Sequence, residues 1–383
     1  MAQTKKSFRS WVLMLTGSII GAGFFTLARA WYNAWLIPTV VIMLAVGVIV
    51  MMLHLLLAEL NLSLPGHKTF VGMARAILPG RLAKTVTVTV IAQFFIGILA
   101  YTILGWWFLQ VILHGIGIHR NIVRSIFLYT ALIGWSVWRS LTIVNSRNNV
   151  IVILLLVTIV IVICAGIVGW QETIIIPAKW INGIGVYGIT LFALSSVNAI
   201  PMLSEVTGNN FDRIRHVILT AWWITTICSI AFALATISLS GANTSNDSVM
   251  GLYRAWWMFL WYVACIAGIA AIITSHIPTA EHLKEIFTRD QWWSKLLSRL
   301  FIVVAPLLVY LYFDPSIIRV MSIGGSLLGG LLIIFVALMN IYLHKTNQKI
   351  TIKPMIPHDM FWSWILIFVC SVGVLYQIMT LYK

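Results

Sequence analysis

Gly17-Ser18-Ile19-Ile20-Gly21-Ala22-Gly23-Phe24-Phe25 lies inside an apolar run from Trp11 to Leu27, long enough to enter a bilayer as a helix. Three glycines within seven residues weaken that helix, each by about 1 kcal/mol relative to alanine. In hydrocarbon, loosened backbone is tolerated only where it faces protein or a water-filled cavity. A break here leaves amide and carbonyl groups free to bind a ligand, with no bulky side chain in the way. The alternative is that the glycines only let helices pack closely. On this stretch alone the two readings stay open.

A second interruption is written at Phe192-Ala193-Leu194-Ser195-Ser196-Val197-Asn198-Ala199-Ile200-Pro201. Two serines and an asparagine at membrane depth are costly unless they are hydrogen-bonded or line a site. Pro201 cannot donate to the preceding turn but suits the start of a helix. The pattern predicts a helix that stops near Ser195 and restarts at Pro201, with a proline-kinked continuous helix as the alternative. Two interrupted helices, one opening each block of five, mark an inverted-repeat transporter.

The rest of the chain agrees with a membrane setting. Of 383 residues, 61% are hydrophobic and 9% charged, outside the range of soluble domains. Eleven apolar segments run approximately over 10–31, 35–60, 86–114, 121–139, 149–170, 184–206, 215–240, 252–278, 299–313, 318–343 and 361–381. The excess of 25 Lys and Arg over 10 Asp and Glu falls between these segments, so it reads as topology and not as a nucleic-acid-binding surface. With the N-terminus inside, 18 of the basic residues fall inside and 7 outside, which predicts a cytoplasmic N-terminus and an external C-terminus. The cysteines (Cys164, Cys228, Cys265, Cys370) all lie in apolar segments and form no disulfide framework. Tryptophans near segment ends, including Trp31, Trp35, Trp106, Trp107, Trp170, Trp180, Trp256, Trp257, Trp362 and Trp364, read as interfacial belts.

Four further features carry expectations. The stretch Asn61–Lys84 is amphipathic, with Pro65-Gly66 and Pro79-Gly80 as turns, and reads as an interfacial helix on the cytoplasmic side. Glu59 reads as a structural carboxylate at the interface, since Lys68 or a nearby arginine can pair with it, with proton carriage as the alternative. Segment four is the weakest span, and segment five carries no ionisable residue between Val150 and Trp170. In Ala271-Ile272-Ile273-Thr274-Ser275-His276, the adjacent hydroxyls either bond back to their own helix or converge on a hard cation. His276 reads as a neutral, bonded packing residue, with a proton carrier as the alternative.

Taken together, GSIIGAGFF (17–25) resembles the first-helix signature of the amino acid/polyamine/organocation superfamily. LFALSSVNAIPMLSEVTGNNFDRIRHVI (191–218) resembles helix six of its amino acid/auxin permease branch, in particular the hydroxy/aromatic amino acid permeases. LLLAELNLSLPGHKTFVGMARAILPG (55–80) and AIITSHIPTAEHLKEIF (271–287) resemble the segments after helix two and at helix eight. The likeness covers essentially the whole chain. It implies an all-α polytopic membrane protein of about 11 helices, with the leucine-transporter-type 5+5 inverted repeat, broken helices 1 and 6, and one extra helix. Repeat one would span 10–170, repeat two 184–343, and the extra helix 361–381, in a single domain over 1–383.

The same resemblance implies a substrate site. Backbone at Ile19, Gly21, Ala22 and Gly23 would hold an amino-acid carboxylate, and Ser18, Ser195, Ser196 and Asn198 its ammonium group. A coupling sodium would sit among Gly17, Ile20, Ala271, Thr274 and Ser275, with a proton as the alternative coupling ion. Asn198-Ala199 stands where the branch usually has His-Pro, and Ala28-Arg29 where a proline commonly ends the first motif. The expected function is symport of a neutral, possibly aromatic, amino acid across the plasma membrane, without enzymatic chemistry or cofactor. The rival is a permease-like receptor subunit that senses an amino acid without moving it.

Overall fold

The computed structural model describes residues 7–34, 36–64, 66, 69–115, 117–118, 122–139, 148–169, 180–252, 258–346 and 354–381. The first span is built in three pieces, because the glycine stretch cannot hold one helix. Helix α1 (Phe8–Ile19) gives way to a 3-10 turn over Ala22–Thr26 and then to α2 (Leu27–Tyr32). The two halves are bent by 52°. Gly21 takes φ −127° and ψ −151° at the break, in an extended conformation.

Helix α3 (Leu36–Ser63) forms the second span, and the short α4 (Phe70–Ile77) follows it. Thr69 caps α4 by accepting the Gly72 amide at 2.9 Å, and its hydroxyl donates to Asp290 at 2.7 Å. Then come α5 (Gly80–Gly115), α6 (Ile122–Trp138) and α7 (Asn148–Val168). The sixth span is α8 (Trp180–Leu194) and α9 (Ala199–Val206), separated by four residues that belong to neither helix. The seventh is α10 (Phe211–Ser240), and the eighth is α11 (Met258–Glu285), which ends in a π turn over Ile286–Asp290. Helix α12 (Lys295–Phe313) is the ninth. Helices α13 (Ile317–Ser322) and α14 (Gly330–Lys345), joined by a π-helical stretch, form the tenth, and α15 (Asp359–Leu381) the eleventh.

Within the described residues, each of the eleven apolar segments is helical apart from the two interruptions, and α6 is too short to count among the candidate spans. Several helices run past the apolar cores read from the sequence, because polar residues can extend a helix beyond the hydrocarbon. Helix α5 starts at Gly80 rather than 86. Helix α12 starts at Lys295, where Ser294 caps it by accepting the Leu297 amide at 3.1 Å. The spans divide by burial. The sixth, eighth and tenth are 67% buried over their most apolar window, whereas α7, α12 and α15 are 28%, 28% and 22% buried. The second group forms the lipid-facing rim, with Leu154, Val160, Leu308, Phe368 and Leu375 turned outward.

Two expectations need correction. Trp31 and Trp106 are buried in the protein rather than placed in an interfacial belt. Their rings fill space between helices; the expected belt residues Trp35, Trp170, Trp256 and Trp257 lie outside the described residues. Glu59 is buried, and its described partner is the Met355 amide at 3.0 Å. Lys68, its expected partner, and Pro65 lie outside the described residues. The sixth span restarts at Ala199, two residues before Pro201, which fits inside the first turn because its missing N–H is not needed there.

Candidate functional site

The two interruptions meet. A Cβ placed on Gly23 would stand 2.5 Å from Ala193 Cα and 2.8 Å from the Ala193 amide nitrogen, closer than side-chain atoms pack. Only glycine lets the two backbones touch there. Close packing and helix interruption, the two readings of the glycine stretch, are thus both present. Gly17 backs onto Val152 of α7, and Gly21 onto Ser275 of α11 and the ring of Tyr101 from α5.

Around the second break one freed amide is satisfied by a side chain, and the restart of the helix by backbone, the Ala199 and Ile200 amides donating to Ser196 and Val197. The Ser195 amide still donates to Leu191 at 3.2 Å, completing α8. The Ser196 amide leaves the helix and donates to Nε2 of His54, 3.2 Å away on α3. That bond requires an unprotonated Nε2, so the neutral ring carries its proton on Nδ1. The Ser196 hydroxyl reaches Asn198 Oδ1 at 3.3 Å, and Asn198 Nδ2 donates to Thr279 of α11 at 3.2 Å. The break is thereby tied to helices two and eight.

The first break faces the paired hydroxyls of α11. Thr274 bonds back to its own helix at the Ala271 carbonyl, 2.8 Å, and lies 3.5 Å from the Gly17 carbonyl. Ser275 reaches across, 3.4 Å from the Gly17 carbonyl and 3.5 Å from that of Ser18. Oxygens bound to one cation at about 2.4 Å, the range for calcium, stand about 3.4 Å apart in an octahedral shell. The cross-helix spacings fit that shell better than they fit strong hydrogen bonds.

Of the expected residues, Gly17, Ala271, Thr274 and Ser275 come together in one cluster. The Ile20 amide completes α1 through Thr16 at 2.9 Å, and the Ser18 carbonyl also stands 3.5 Å from the Ser275 hydroxyl. Ser18, Ser195 and Asn198 are half-buried, and Ser196 is buried. The Ser18 hydroxyl bonds back to Met14 at 3.0 Å. Ile19 is the last residue of α1, whereas Ala22 and Gly23 open the 3-10 turn, where the first amides of a helix lack internal partners.

Three side chains escaped the reading of the sequence. His54 was hidden in an apolar run, although an ionisable residue inside a span is a functional signal by itself. Tyr101 stands beside Gly21 and His276, its ring 5.6 Å from the imidazole. Tyr129 makes the hydrogen bond to His276 Nδ1 at 3.2 Å that the packing role of this histidine called for. His276 Nε2 is buried without a partner among the described residues.

Among the described residues nine helices, or ten with the bent first pair counted as one span, are long and apolar enough to cross a membrane, and two spans are interrupted and in backbone contact; this is the leucine-transporter fold of multi-pass membrane proteins. Within that class, the chain belongs to the tryptophan/tyrosine permease family, whose pattern matches residues 4–378. It is a secondary transporter and not an enzyme. No curated protein matches the sequence. Among solved structures, it resembles MhsT in complex with L-phenylalanine, with a TM-score of 0.72 at 14% identity, covering 99% of both chains. It also resembles the Eremococcus coleocola manganese transporter, with a TM-score of 0.68 at 13% identity, covering 98% of this chain and 87% of that one. A third similar structure is Mhp1, a nucleobase-cation-symport-1 transporter with bromovinylhydantoin bound, at a TM-score of 0.67 and 13% identity, covering 98% and 94%. At such identities the likeness establishes the fold.

Proposed function

We propose that the chain is a symporter of an aromatic amino acid, binding its substrate between the two helix interruptions. The observation that carries this reading is the contact of Gly23 with Ala193, which puts the free backbone of one break beside the polar residues of the other. The amides of Ala22 and Gly23 take the carboxylate, since the start of a helical turn favours an anion. Ser18, Ser195, Ser196 and Asn198 take the ammonium group. Membership in the tryptophan/tyrosine permease family and the L-phenylalanine held by MhsT both support an aromatic side chain. The finer placement is the hydroxy/aromatic permeases of the amino acid/auxin branch, with repeats at 10–170 and 184–343 and the extra helix at 361–381.

The coupling ion in this reading is sodium, bound by the carbonyls of Gly17, Ile20 and Ala271 and the hydroxyls of Thr274 and Ser275, with the Ser18 carbonyl 3.5 Å from the Ser275 hydroxyl beside them. Helix α7 presents no Lys, Arg or His between Val150 and Val168 that would replace it by a fixed charge. One observation favours a proton instead: the unpartnered His276 Nε2, buried one residue beyond Ser275. The charge distribution supports insertion in the plasma membrane with the N-terminus cytoplasmic and the C-terminus outside.

Uptake of labelled tryptophan, tyrosine and phenylalanine into proteoliposomes tests these points together. A sodium gradient at clamped pH should drive accumulation. Accumulation that follows a pH gradient and ignores sodium assigns coupling to His276. Saturable binding without uptake under either gradient would make the chain a receptor.

A further inference from the structure

We propose that Glu59, His344 and Asp359 form a binding site for one divalent transition-metal ion of the zinc class, separate from the transport site. These residues come from the last turns of α3 and α14 and from the first residue of α15. One ligand atom from each lies within 4.8 Å of the other two. Glu59 is 1% exposed and Asp359 6%, so both carboxylates are withdrawn from solvent. Among the described residues, neither forms an ion pair with a lysine or arginine.

The hydrogen bonds present do not complete the cluster. His344 Nε2 stands 2.5 Å from Asp359 Oδ2, and Asn340 Nδ2 donates to the same oxygen at 3.0 Å and to Ser363 at 3.2 Å. Glu59 Oε2 takes the Met355 amide, and Oε1 has no described partner. Asn340 is fully buried, and its Oδ1 is equally unpartnered beside the same carboxylate. Buried polar atoms are nearly always satisfied, so two orphaned oxygens at one cluster point to a missing electrophile.

The donor set selects the ion. One imidazole and two carboxylates, with an amide oxygen at hand, suit zinc, which takes mixed nitrogen and oxygen ligands. Magnesium prefers oxygen alone, and copper(I) prefers thiolate or thioether. Two ligands on one zinc at about 2.0–2.1 Å stand about 3.3 Å apart in a tetrahedron. The ion therefore displaces the proton shared by His344 and Asp359 and opens that contact by less than about 1 Å. None of the residues at the helix interruptions takes part.

The test uses the full-length protein, purified in detergent and stripped with chelator. One zinc per chain should remain bound through gel filtration, and zinc should raise the thermal unfolding temperature. Cobalt(II) should give the visible absorption of a low-symmetry site. His344→Ala should remove that absorption, and Glu59→Gln, which keeps the shape and one oxygen, should weaken zinc binding at least tenfold. Zinc that binds His344→Ala and Asp359→Asn as it binds the wild type overturns the proposal. If a variant does not fold, the wild type decides: without stoichiometric zinc, thermal shift or cobalt band, the cluster only shares a proton.

Discussion

The Ser196 amide donates a hydrogen bond to His54 Nε2, 3.2 Å away and 142 residues distant in the chain. One imidazole thus supplies the acceptor that the interrupted sixth helix can no longer provide from its own backbone. His54→Leu keeps the bulk and removes that acceptor, leaving a buried amide unsatisfied at a cost of about 1–3 kcal/mol. Thermal unfolding should register this loss, and uptake should fall with it. His54→Gln retains an acceptor and should recover much of both. Wild-type behaviour in the leucine variant would mean that the bond contributes nothing.

Gly23→Ala should be sufficient to disable the protein, although it adds one methyl group. That methyl meets Ala193 backbone, which cannot move aside as a side chain would. Overpacking of this kind costs about 1–3 kcal/mol and parts the two breaks. Gly80→Ala is the control, since open space surrounds a Cβ there. Comparable uptake by the two variants would contradict the contact.

Thr274→Ala and Ser275→Ala should differ in severity. Thr274 already bonds back to Ala271, whereas Ser275 is the hydroxyl that reaches Gly17 and Ser18 across the helices. Under the sodium reading, each loss raises the sodium concentration for half-maximal uptake at least tenfold, with serine 275 the larger effect. Circular dichroism should be unchanged. Unaltered sodium dependence in both variants would remove the cation from this cluster.

Asp247 gives a pH dependence outside the spans. Its Oδ1 accepts from the Ser245 hydroxyl at 2.5 Å and from the Val249 and Met250 amides at 3.1 and 2.9 Å, while Oδ2 is buried without a partner among the described residues. Burial outweighs these donors and holds the carboxyl above its ordinary value. The folded chain thus keeps this proton to higher pH than the unfolded chain. The stability it contributes is full below the ordinary carboxylate value and is lost as pH rises through the raised one. Unfolding followed from about pH 4 to about pH 8 should show a decline that Asp247→Asn lacks. Equal slopes in the two proteins would refute the assignment. Asp247 also lines a cavity of about 310 Å³ with Trp106, Trp107 and Met250, where unfolding can be reported by tryptophan fluorescence.

The spans and both interruptions were legible because each follows from local chemistry. Apolar length marks the helices, clustered glycine marks the first break, and Ser195, Ser196 and Asn198 before a proline mark the second. What could not be read was pairing across the chain. No spacing rule links His54 to Ser196, Tyr129 to His276, or Glu59 to Met355, since each contact exists only once the helices are bundled. Nor could the approach of the Ser275 hydroxyl to the Ser18 carbonyl be read. Where a carbonyl points at a broken turn depends on the ψ of a single residue, 89° at Ile20, which the sequence leaves undetermined.

The direct seating of Gly23 on Ala193 also limits how access can alternate. With no side chain between them, these two backbones have no lubricating layer and cannot slide without separating. The interrupted helices therefore form a fulcrum. In the transport reading proposed above, opening one side of the membrane would then have to be carried by the surrounding helices rather than by sliding at Gly23.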